Sequence, residues 1–278
     1  MKYDIFNSTP SLFDKKYIIS LMIILCLSTA EIFGHGSHKS QPIGIIDPLV
    51  THHAILEDEL KFNYFNLKND NENLKANLSS LEIAFAFTDL IGFEIFLPFG
   101  SVEIDGIRYS GFGDIETFIP KISFIRKYGF VKTTYIAVRI PTGDEKADLG
   151  EPGWGFAPHL LMDYGKGGFG LQVNAAAEFE TEGDIALEGN VSFAYSIMLK
   201  EDNNNKLMLS PLLEFALESP LKGEELKSVL NIIPGIKIAL NGWHLGLGAA
   251  LPVTSAKEFD YLATMQLGYH VKWENLFK

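Results

Sequence analysis

Apolar and polar residues alternate along most of the chain after residue 55. In "VSFAYSIML" (191–199), apolar or aromatic residues occupy every odd position, and small residues lie between most of them. The stretch 261–273 is more regular still, because every second residue is apolar or amphipathic and most of the others are polar or small. A period of two residues is typical of β-strands whose two faces meet different surroundings. The pattern therefore predicts an all-β protein.

Twelve strands of this kind are predicted, and turn signals such as "NDNEN", "YGKGG" and "EDNNN" separate them. Their spans are 56–67, 76–88, 91–99, 114–126, 129–141, 154–164, 168–180, 189–200, 206–218, 226–240, 242–253 and 258–275. The connections alternate between short turns and longer loops, with loops such as 100–113 all on one side. This asymmetry and an even strand number are typical of outer-membrane barrels.

The sequence therefore predicts a single antiparallel transmembrane β-barrel of the outer-membrane type, with about 12 strands, at residues 56–278. The alternative is a soluble β-sandwich, whose strands alternate in the same way. The barrel is favoured because strands of about 10–13 residues are long compared with the average of about 5–6. Trp and Tyr also lie near strand ends on the apolar faces, as at a membrane interface, at Trp154, Tyr164, Trp243, Tyr261, Tyr269 and Trp273.

The first 30 residues resemble an export signal. Lys15 and Lys16 precede an apolar run at 17–27, and small residues that permit cleavage follow. The alternative, a membrane anchor, requires a longer apolar run. We therefore expect a cleaved signal peptide at 1–30 and a periplasmic N-terminal segment or plug at 31–55. The expected address is the bacterial outer membrane, with its lipid and its assembly machinery as partners.

Charge and motif content exclude several classes of function. The 278-residue chain carries a net charge of -12, which argues against a nucleic-acid partner. Its one cysteine, Cys26, lies in the predicted signal peptide, so the mature chain forms no disulfide. No G-x-S-x-G element occurs, and nothing in the sequence brings a Ser, a His and an acid together. We therefore expect neither an enzyme nor a cofactor.

The polar face of the predicted strands is expected to line the barrel interior. Acids and bases are mixed on this face, with some excess of acids. Its predicted members are Glu59, Lys61, Asn63, Glu82, Glu94, Arg139, His159, Asp163, Gln172, Asn174, Glu178, Glu214, Asn231, Lys237, His244, Gln266, His270 and Lys272. Such residues set ionic selectivity in an open pore, or they pair across a narrow barrel and seal it.

The last strand also resembles the C-terminal signal that the outer-membrane assembly machinery reads. That signal has a polar residue, a glycine two positions later and two hydrophobic residues spaced by two. The matching residues here are Gln266, Gly268, Val271 and Trp273. Many such proteins end on an aromatic residue, whereas this chain continues to Lys278. We expect this strand to close the barrel against the first one.

Three stretches stand out in the centre of the chain, "GFGDIETFIPKISF" (111–124), "VRIPTGDEKADLG" (138–150) and "GWGFAPHLLMDYGKGGFGLQVNAAAEF" (153–179). They resemble the meta-pathway phenol-degradation family of outer-membrane proteins. The resemblance implies an outer-membrane barrel that passes small aromatic or apolar molecules, and it carries over no catalytic residue. The "PTGD" stretch at 141–144 matches a turn-like motif of that family, and we interpret it as a strand end and loop entry.

Histidines are concentrated near the expected mature N-terminus. Four of the seven, His35, His38, His52 and His53, lie in a 19-residue window, and three acids follow them. Imidazole and carboxylate groups are ligands for Zn²⁺, Cu²⁺ and Ni²⁺. The alternative is a flexible segment with solvated side chains, since no spacing here defines a known metal site.

Taken together, these features predict a channel for passive uptake of small hydrophobic or aromatic solutes. The alternative is a non-conducting barrel, with a structural role or a metal-binding role at its His-rich N-terminus.

Overall fold

A computed structural model describes residues 48–271, apart from 128, 148, 182–184, 203–205, 223–226 and 258. Within these residues the strands are β1 (Glu59–Asn69), β2 (Leu74–Ala86), β3 (Ile91–Ile104), β4 (Ile107–Phe112), β5 (Ile115–Lys127), β6 (Phe130–Ile140), β7 (Gly155–Lys166), β8 (Phe169–Glu180), β9 (Ile185–Tyr195), β10 (Ile197–Glu201), β11 (Lys206–Lys222), β12 (Val229–Leu240), β13 (Trp243–Pro252) and β14 (Tyr261–His270). A short 3₁₀ helix, Glu145–Ala147, follows β6. No helix in this part of the chain is long and apolar enough to cross a bilayer.

The strands close into a ring. β1 pairs with β2 on one side and with β14 on the other, and β9 pairs with β11. The ring order is β1-β2-β3-β5-β6-β7-β8-β9-β11-β12-β13-β14, after which β14 returns to β1. All of these pairings are antiparallel, so the predicted barrel of twelve strands is confirmed.

Two further strands extend the ring. β4 forms a hairpin with β3 through Asp105 and Gly106, which have positive φ angles of 51° and 80°. β10 follows β9 after a break at Ser196 and pairs with β11. The prediction of a loop at 100–113 is therefore wrong, because the Asp-Gly pair inside it favours a two-residue hairpin turn. The strand predicted at 189–200 is likewise divided in two.

The exposure of side chains is the reverse of that in a water-soluble protein. On β13, His244 is 4% exposed, whereas Trp243 is 53% and Leu247 is 48% exposed. On β8, Gln172 is 2% and Phe169 is 39% exposed. Polar side chains thus face the interior and apolar ones cover the outside, as a hydrocarbon surrounding requires. This distribution excludes the soluble β-sandwich.

Residues 48–58, named here the inner segment, lie inside the barrel before β1 begins. Ala54 and Ile55 are buried in a cluster with inward side chains of the barrel wall. The strand predicted at 56–67 begins at Glu59 instead, because the preceding residues belong to the inner segment. The end of the barrel at which β1 begins is named the inner mouth, and the opposite end is the outer mouth.

Candidate functional site

Alternation along the strands directs one polar face into the barrel interior. Most of the residues predicted there are buried, namely Glu59, Lys61, Asn63, Glu82, Glu94, His159, Asp163, Gln172, Asn174, Glu214, Lys237, His244 and Gln266. Arg139, Glu178 and Asn231 are partly buried, and His270 is exposed at the end of β14. Lys272 lies outside the described residues.

One buried acid holds the backbone of the inner segment. The Glu214 carboxylate on β11 accepts hydrogen bonds from the backbone N–H groups of Leu49 (2.6 Å), Val50 (3.2 Å) and Thr51 (2.8 Å). It also accepts one from the Thr51 hydroxyl, at 2.8 Å. Successive N–H groups that converge on one oxygen pair form an anion-binding nest. These bonds compensate for burying the Glu214 charge and fix the inner segment to β11.

Three more strands bind the inner segment. Lys237 on β12 donates a hydrogen bond to the carbonyl of Pro48 at 3.2 Å. Asp163 on β7 accepts one from the N–H of Ala54 at 2.8 Å, and the Thr133 hydroxyl on β6 donates to the Ala54 carbonyl. The segment thus takes its partners from strands far around the ring from β1, so it spans the lumen.

Leu49 packs into a patch of three strand glycines, named the glycine socket. A Cβ added to Gly246 or Gly248 on β13 would lie 2.5 Å from a methyl carbon of Leu49. A Cβ on Gly235 of β12 would collide with the same side chain. Glycine inside a strand often marks a close approach by another group. Here that group is the Leu49 side chain, which is buried.

His52 of the inner segment is enclosed by four rings from the barrel wall, and the five rings are named the aromatic cluster. Its centroid lies 4.9 Å from Phe118, 5.9 Å from Phe96, 6.2 Å from Tyr135 and 6.0 Å from His159, all edge-on. Tyr135 in turn stacks on Phe118 at 4.3 Å and on His159 at 4.4 Å. Edge-on and stacked pairs are favourable arrangements of aromatic rings. The lumen is therefore filled by packed rings at this level.

At the inner mouth, Glu57 connects the inner segment to the last strand. Its Oε1 lies 3.4 Å from Nε2 of His53, and its Oε2 lies 3.2 Å from Nδ1 of His270. The next residue, Asp58, accepts a backbone hydrogen bond from Val271 at 2.8 Å. The start of β1 is thus held against the end of β14.

Glu59 is a second acid at the inner mouth. Its Oε1 lies 3.2 Å from Nε2 of His244 on β13. Its Oε2 lies 3.2 Å from Nζ of Lys61, which also pairs with Glu82 at 2.9 Å. The His244 ring lies over Gly268 of β14, in space that a Cβ at 268 would occupy. Glycine at this position therefore lets His244 reach across β14 to β1.

An apolar cavity of about 370 Å³ lies at the outer mouth. Residues of β1, β2 and β3 form its wall together with the loop between β6 and β7. Its apolar members are Leu67, Leu74, Ala76, Leu78, Pro98, Phe99, Val102 and Leu149, and its charged members are Asp114, Arg139 and Glu151. A mostly apolar wall with a few polar groups is typical of a small-molecule site.

Asp114 holds the loop that borders this cavity. Its Oδ1 accepts hydrogen bonds from the N–H groups of Thr142 (2.9 Å) and Gly143 (2.7 Å), and its Oδ2 accepts one from Glu151 (2.8 Å). Gly143 and Gly150 approach so closely that a Cβ on either would lie 2.7 Å from the Cα of the other. Two of the stretches quoted for the family resemblance therefore meet at this carboxylate.

The lumen beside the cavity is acidic. Glu116 on β5, Glu178 on β8 and Glu188 on β9 are close enough for their carboxylates to repel one another. Arg139 on β6 attracts two of them and forms an ion pair with Glu180. An apolar wall and an acidic wall thus lie near each other at the outer end of the barrel.

The histidines predicted to share a metal ion contact different groups. His52 belongs to the aromatic cluster, and His53 contacts Glu57. His35 and His38 lie outside the described residues, so a shared site stays a prediction. The residues that the structure does bring together are His53, Glu57 and Glu59 in one group, and Glu59, His244 and His270 in another.

The predicted assembly signal also stays a prediction. Gln266 and Gly268 lie on the inward face of β14, Val271 follows its end, and Trp273 is outside the described residues. The structure adds a packing reason for glycine at 268, because His244 uses the space.

Four contact residues of the interior were not predicted from the sequence: Thr51, Asp114, Lys121 and Thr133. Their partners lie 27 to 163 residues away along the chain. The glycine socket did leave a signal, since Gly235, Gly246 and Gly248 interrupt otherwise regular strands.

No protein-family model and no curated protein sequence matches the chain. Among solved structures, an outer-membrane channel from Pseudomonas putida F1 is similar. It is 13% identical, and the alignment covers 87% of this chain and 100% of that chain with a TM-score of 0.56. The KdgM porin in complex with disordered oligogalacturonate is 11% identical, and the alignment covers 77% of this chain and 99% of the porin with a TM-score of 0.48. The β domain of the Bordetella autotransporter Brka is 10% identical, and the alignment covers 78% of this chain and 100% of that domain with a TM-score of 0.49. With its closed ring of twelve antiparallel strands, the chain has the fold of outer-membrane β-barrels.

Proposed function

We propose that the protein is an outer-membrane channel for small apolar or aromatic solutes, and that the inner segment is its plug. The observation that carries the proposal is the apolar cavity at the outer mouth of a barrel whose outer surface is apolar. Such a cavity favours solutes with apolar surface, because burying that surface releases ordered water.

The contacts of the inner segment support its role as a plug. Glu214 and Lys237 hold its first residues, and Asp163 on β7 holds Ala54. The aromatic cluster fills the space around His52 between these anchors. A solute that moves from the outer to the inner mouth has to pass this level, so passage requires the segment to shift or leave.

The cellular address is part of the same proposal. The apolar exterior supports a lipid surrounding, and the predicted signal peptide at 1–30 supports export. The predicted signal on the last strand supports recognition by the outer-membrane assembly machinery.

A non-conducting barrel with a structural role is the second candidate. One observation favours it: Glu214, Asp163 and Ala54 are completely buried, so the lumen is tightly filled where the inner segment crosses it.

Planar bilayer recordings discriminate between the two candidates. Glu214→Ala removes four hydrogen bonds to the inner segment and is expected to raise the conductance or the open probability of a plugged channel. Glu103→Ala is the matched control, because it removes an acid that pairs with Lys75 near the outer mouth. A barrel that is folded by heat-modifiable gel mobility but silent in the wild type and in Glu214→Ala supports the non-conducting candidate.

Solute preference is tested separately, by swelling of liposomes that contain Glu214→Ala. After subtraction of the rate into protein-free liposomes, phenol is expected to enter faster than a small sugar. Equal rates would contradict the proposed preference for aromatic solutes and leave the channel itself in place.

A further inference from the structure

Three side chains at the inner mouth meet across the seam where the ring closes. Glu59 begins β1 and His270 ends β14, and the two are direct partners in the β1–β14 register. His244 on β13 is the register partner of Gly268 on β14. Because residue 268 has no side chain, the His244 ring passes over β14 toward Glu59. The backbone register thus places a carboxylate and two imidazoles side by side.

The spacing of their donor atoms suits a metal ion. One donor atom from each of Glu59, His244 and His270 lies within 4.8 Å of the other two. Ligand atoms about 2.0–2.1 Å from a tetrahedral Zn²⁺ are about 3.3 Å from one another. Nε2 of His244 is 3.2 Å from Oε1 of Glu59. The His270 side chain is 42% exposed at the end of its strand, so its ring has room to turn toward the other two.

Glu57 lies beside these three residues. Its Oε2 lies 3.2 Å from Nδ1 of His270, and its carboxylate lies within 4.8 Å of Glu59. Lys61 pairs with the other oxygen of Glu59, so Oε1 remains directed at His244.

We propose that the inner mouth binds one first-row divalent transition-metal ion, such as Zn²⁺, through Glu59, His244 and His270, with Glu57 beside them. Mixed nitrogen and oxygen donors favour Zn²⁺, Ni²⁺ or Cu²⁺ over Mg²⁺ and Ca²⁺, which prefer oxygen. The ion joins β1, β13 and β14 at the closing seam and fixes the end of the inner segment there. The site does not depend on whether the barrel conducts, and the proposed ligands do not include His35 or His38.

The test is a calorimetric titration of the metal-free, folded protein, in detergent and with its N-terminal segment intact, using Zn²⁺. One equivalent is expected to bind. His244→Ala and His270→Ala are each expected to weaken binding at least about 10-fold, because even the outer partners of metal ligands contribute that much. His159→Ala, which removes another lumen histidine, and the double variant His35→Ala/His38→Ala are expected to bind like the wild type.

Three results would overturn the proposal: no binding to the wild type, unchanged binding in both ligand variants, or loss of binding in His35→Ala/His38→Ala alone. Heat-modifiable mobility shows first that each variant is folded. His270→Ala keeps the test decisive if His244→Ala fails to fold, because the exposed His270 ring contributes little to packing. Stoichiometric binding of Ca²⁺ with the same affinity would also contradict the assignment of the ion.

Discussion

The imidazole of His244 occupies the space in which a side chain at Gly268 would lie. The two residues face each other on β13 and β14. A Cβ at 268 would overlap the ring and would lie 2.9 Å from Oε1 of Glu59 on β1. One missing side chain therefore allows three strands to make a common contact at the inner mouth.

Gly268→Ala is expected to destabilise the barrel by about 1–3 kcal/mol, because an added methyl group overpacks the site. Urea unfolding followed by tryptophan fluorescence measures the change. Gly189→Ala on β9 is the control, since a Cβ there meets nothing within 4 Å, and its effect is expected to stay within about 0.5 kcal/mol. The double variant Gly268→Ala/His244→Ala is expected to recover most of the loss. Strictly additive losses would contradict the steric explanation.

Leu49→Ala is expected to weaken docking of the inner segment by about 2–5 kcal/mol, the usual cost of emptying a buried leucine site. The three glycines of the socket have no side chains to fill the space, so only neighbours such as Leu212 and Met208 can move toward it. Hydrogen exchange of the amides at 49–54 measures the loss of protection. Val50→Ala is the control, because Val50 is 37% exposed and makes its hydrogen bond to Glu214 through the backbone. Similar effects of the two variants would argue against the socket.

Docking of the inner segment is expected to weaken at acid pH. Burial lowers the pKa of the His52 imidazole well below its usual value, and the neighbouring charges of His159 and Lys121 lower it further. In the undocked segment the pKa returns to about 6.5. As the pH falls below that value, the undocked form takes up a proton that the docked form does not, so docking loses free energy. Above it, both forms are neutral and docking is independent of the His52 charge.

The expected observation is faster hydrogen exchange in the inner segment at pH 5 than at pH 7, after correction for the intrinsic rate. The charged or titratable groups around His52 are His53, Lys61, Lys121, which pairs with Glu94, and His159. His52→Phe keeps a ring in the aromatic cluster and is expected to remove the pH dependence. If the dependence survives unchanged in His52→Phe, another of these groups is responsible.

Asp114→Ala is expected to release the loop that borders the outer cavity, because it removes three hydrogen bonds to backbone N–H groups. Each bond to a charged acceptor contributes about 1.5–3 kcal/mol. Limited proteolysis is expected to cut the loop at 141–151 faster than in the wild type. Glu103→Ala is the control, since Glu103 is also near the outer mouth and pairs with Lys75 at 2.9 Å. Equal cleavage of wild type and Asp114→Ala would show that the loop is held by other contacts.

The ring of strands could be predicted from the sequence because each strand shows its own alternation of apolar and polar residues. Trp243 and Tyr269, for example, were assigned to the outer face from alternation alone, and both are exposed with their rings 4.6 Å apart. The two faces of each strand meet different surroundings, so the pattern is local and needs no knowledge of neighbours. The β3–β4 hairpin was missed although its Asp-Gly signal is equally local.

The contacts of the interior could not be predicted in the same way. Glu214 was assigned to the lumen, but its partner Leu49 lies 165 residues away. Likewise, the pairing of Glu59 with His270 exists only because the ring closes in one particular register. Alternation fixes the face on which a side chain lies, whereas register fixes its neighbours, and register depends on the whole barrel.

The partners of the inner segment lie far along the chain. Ala54 is 109 residues from Asp163, and Leu49 is 165 residues from Glu214. Contacts of such long range form late, because the intervening chain has to be ordered first. The part of the described chain that is synthesised first is therefore the last to find its binding surface. Its docking therefore requires a barrel in which β6, β7 and β11 are already in place.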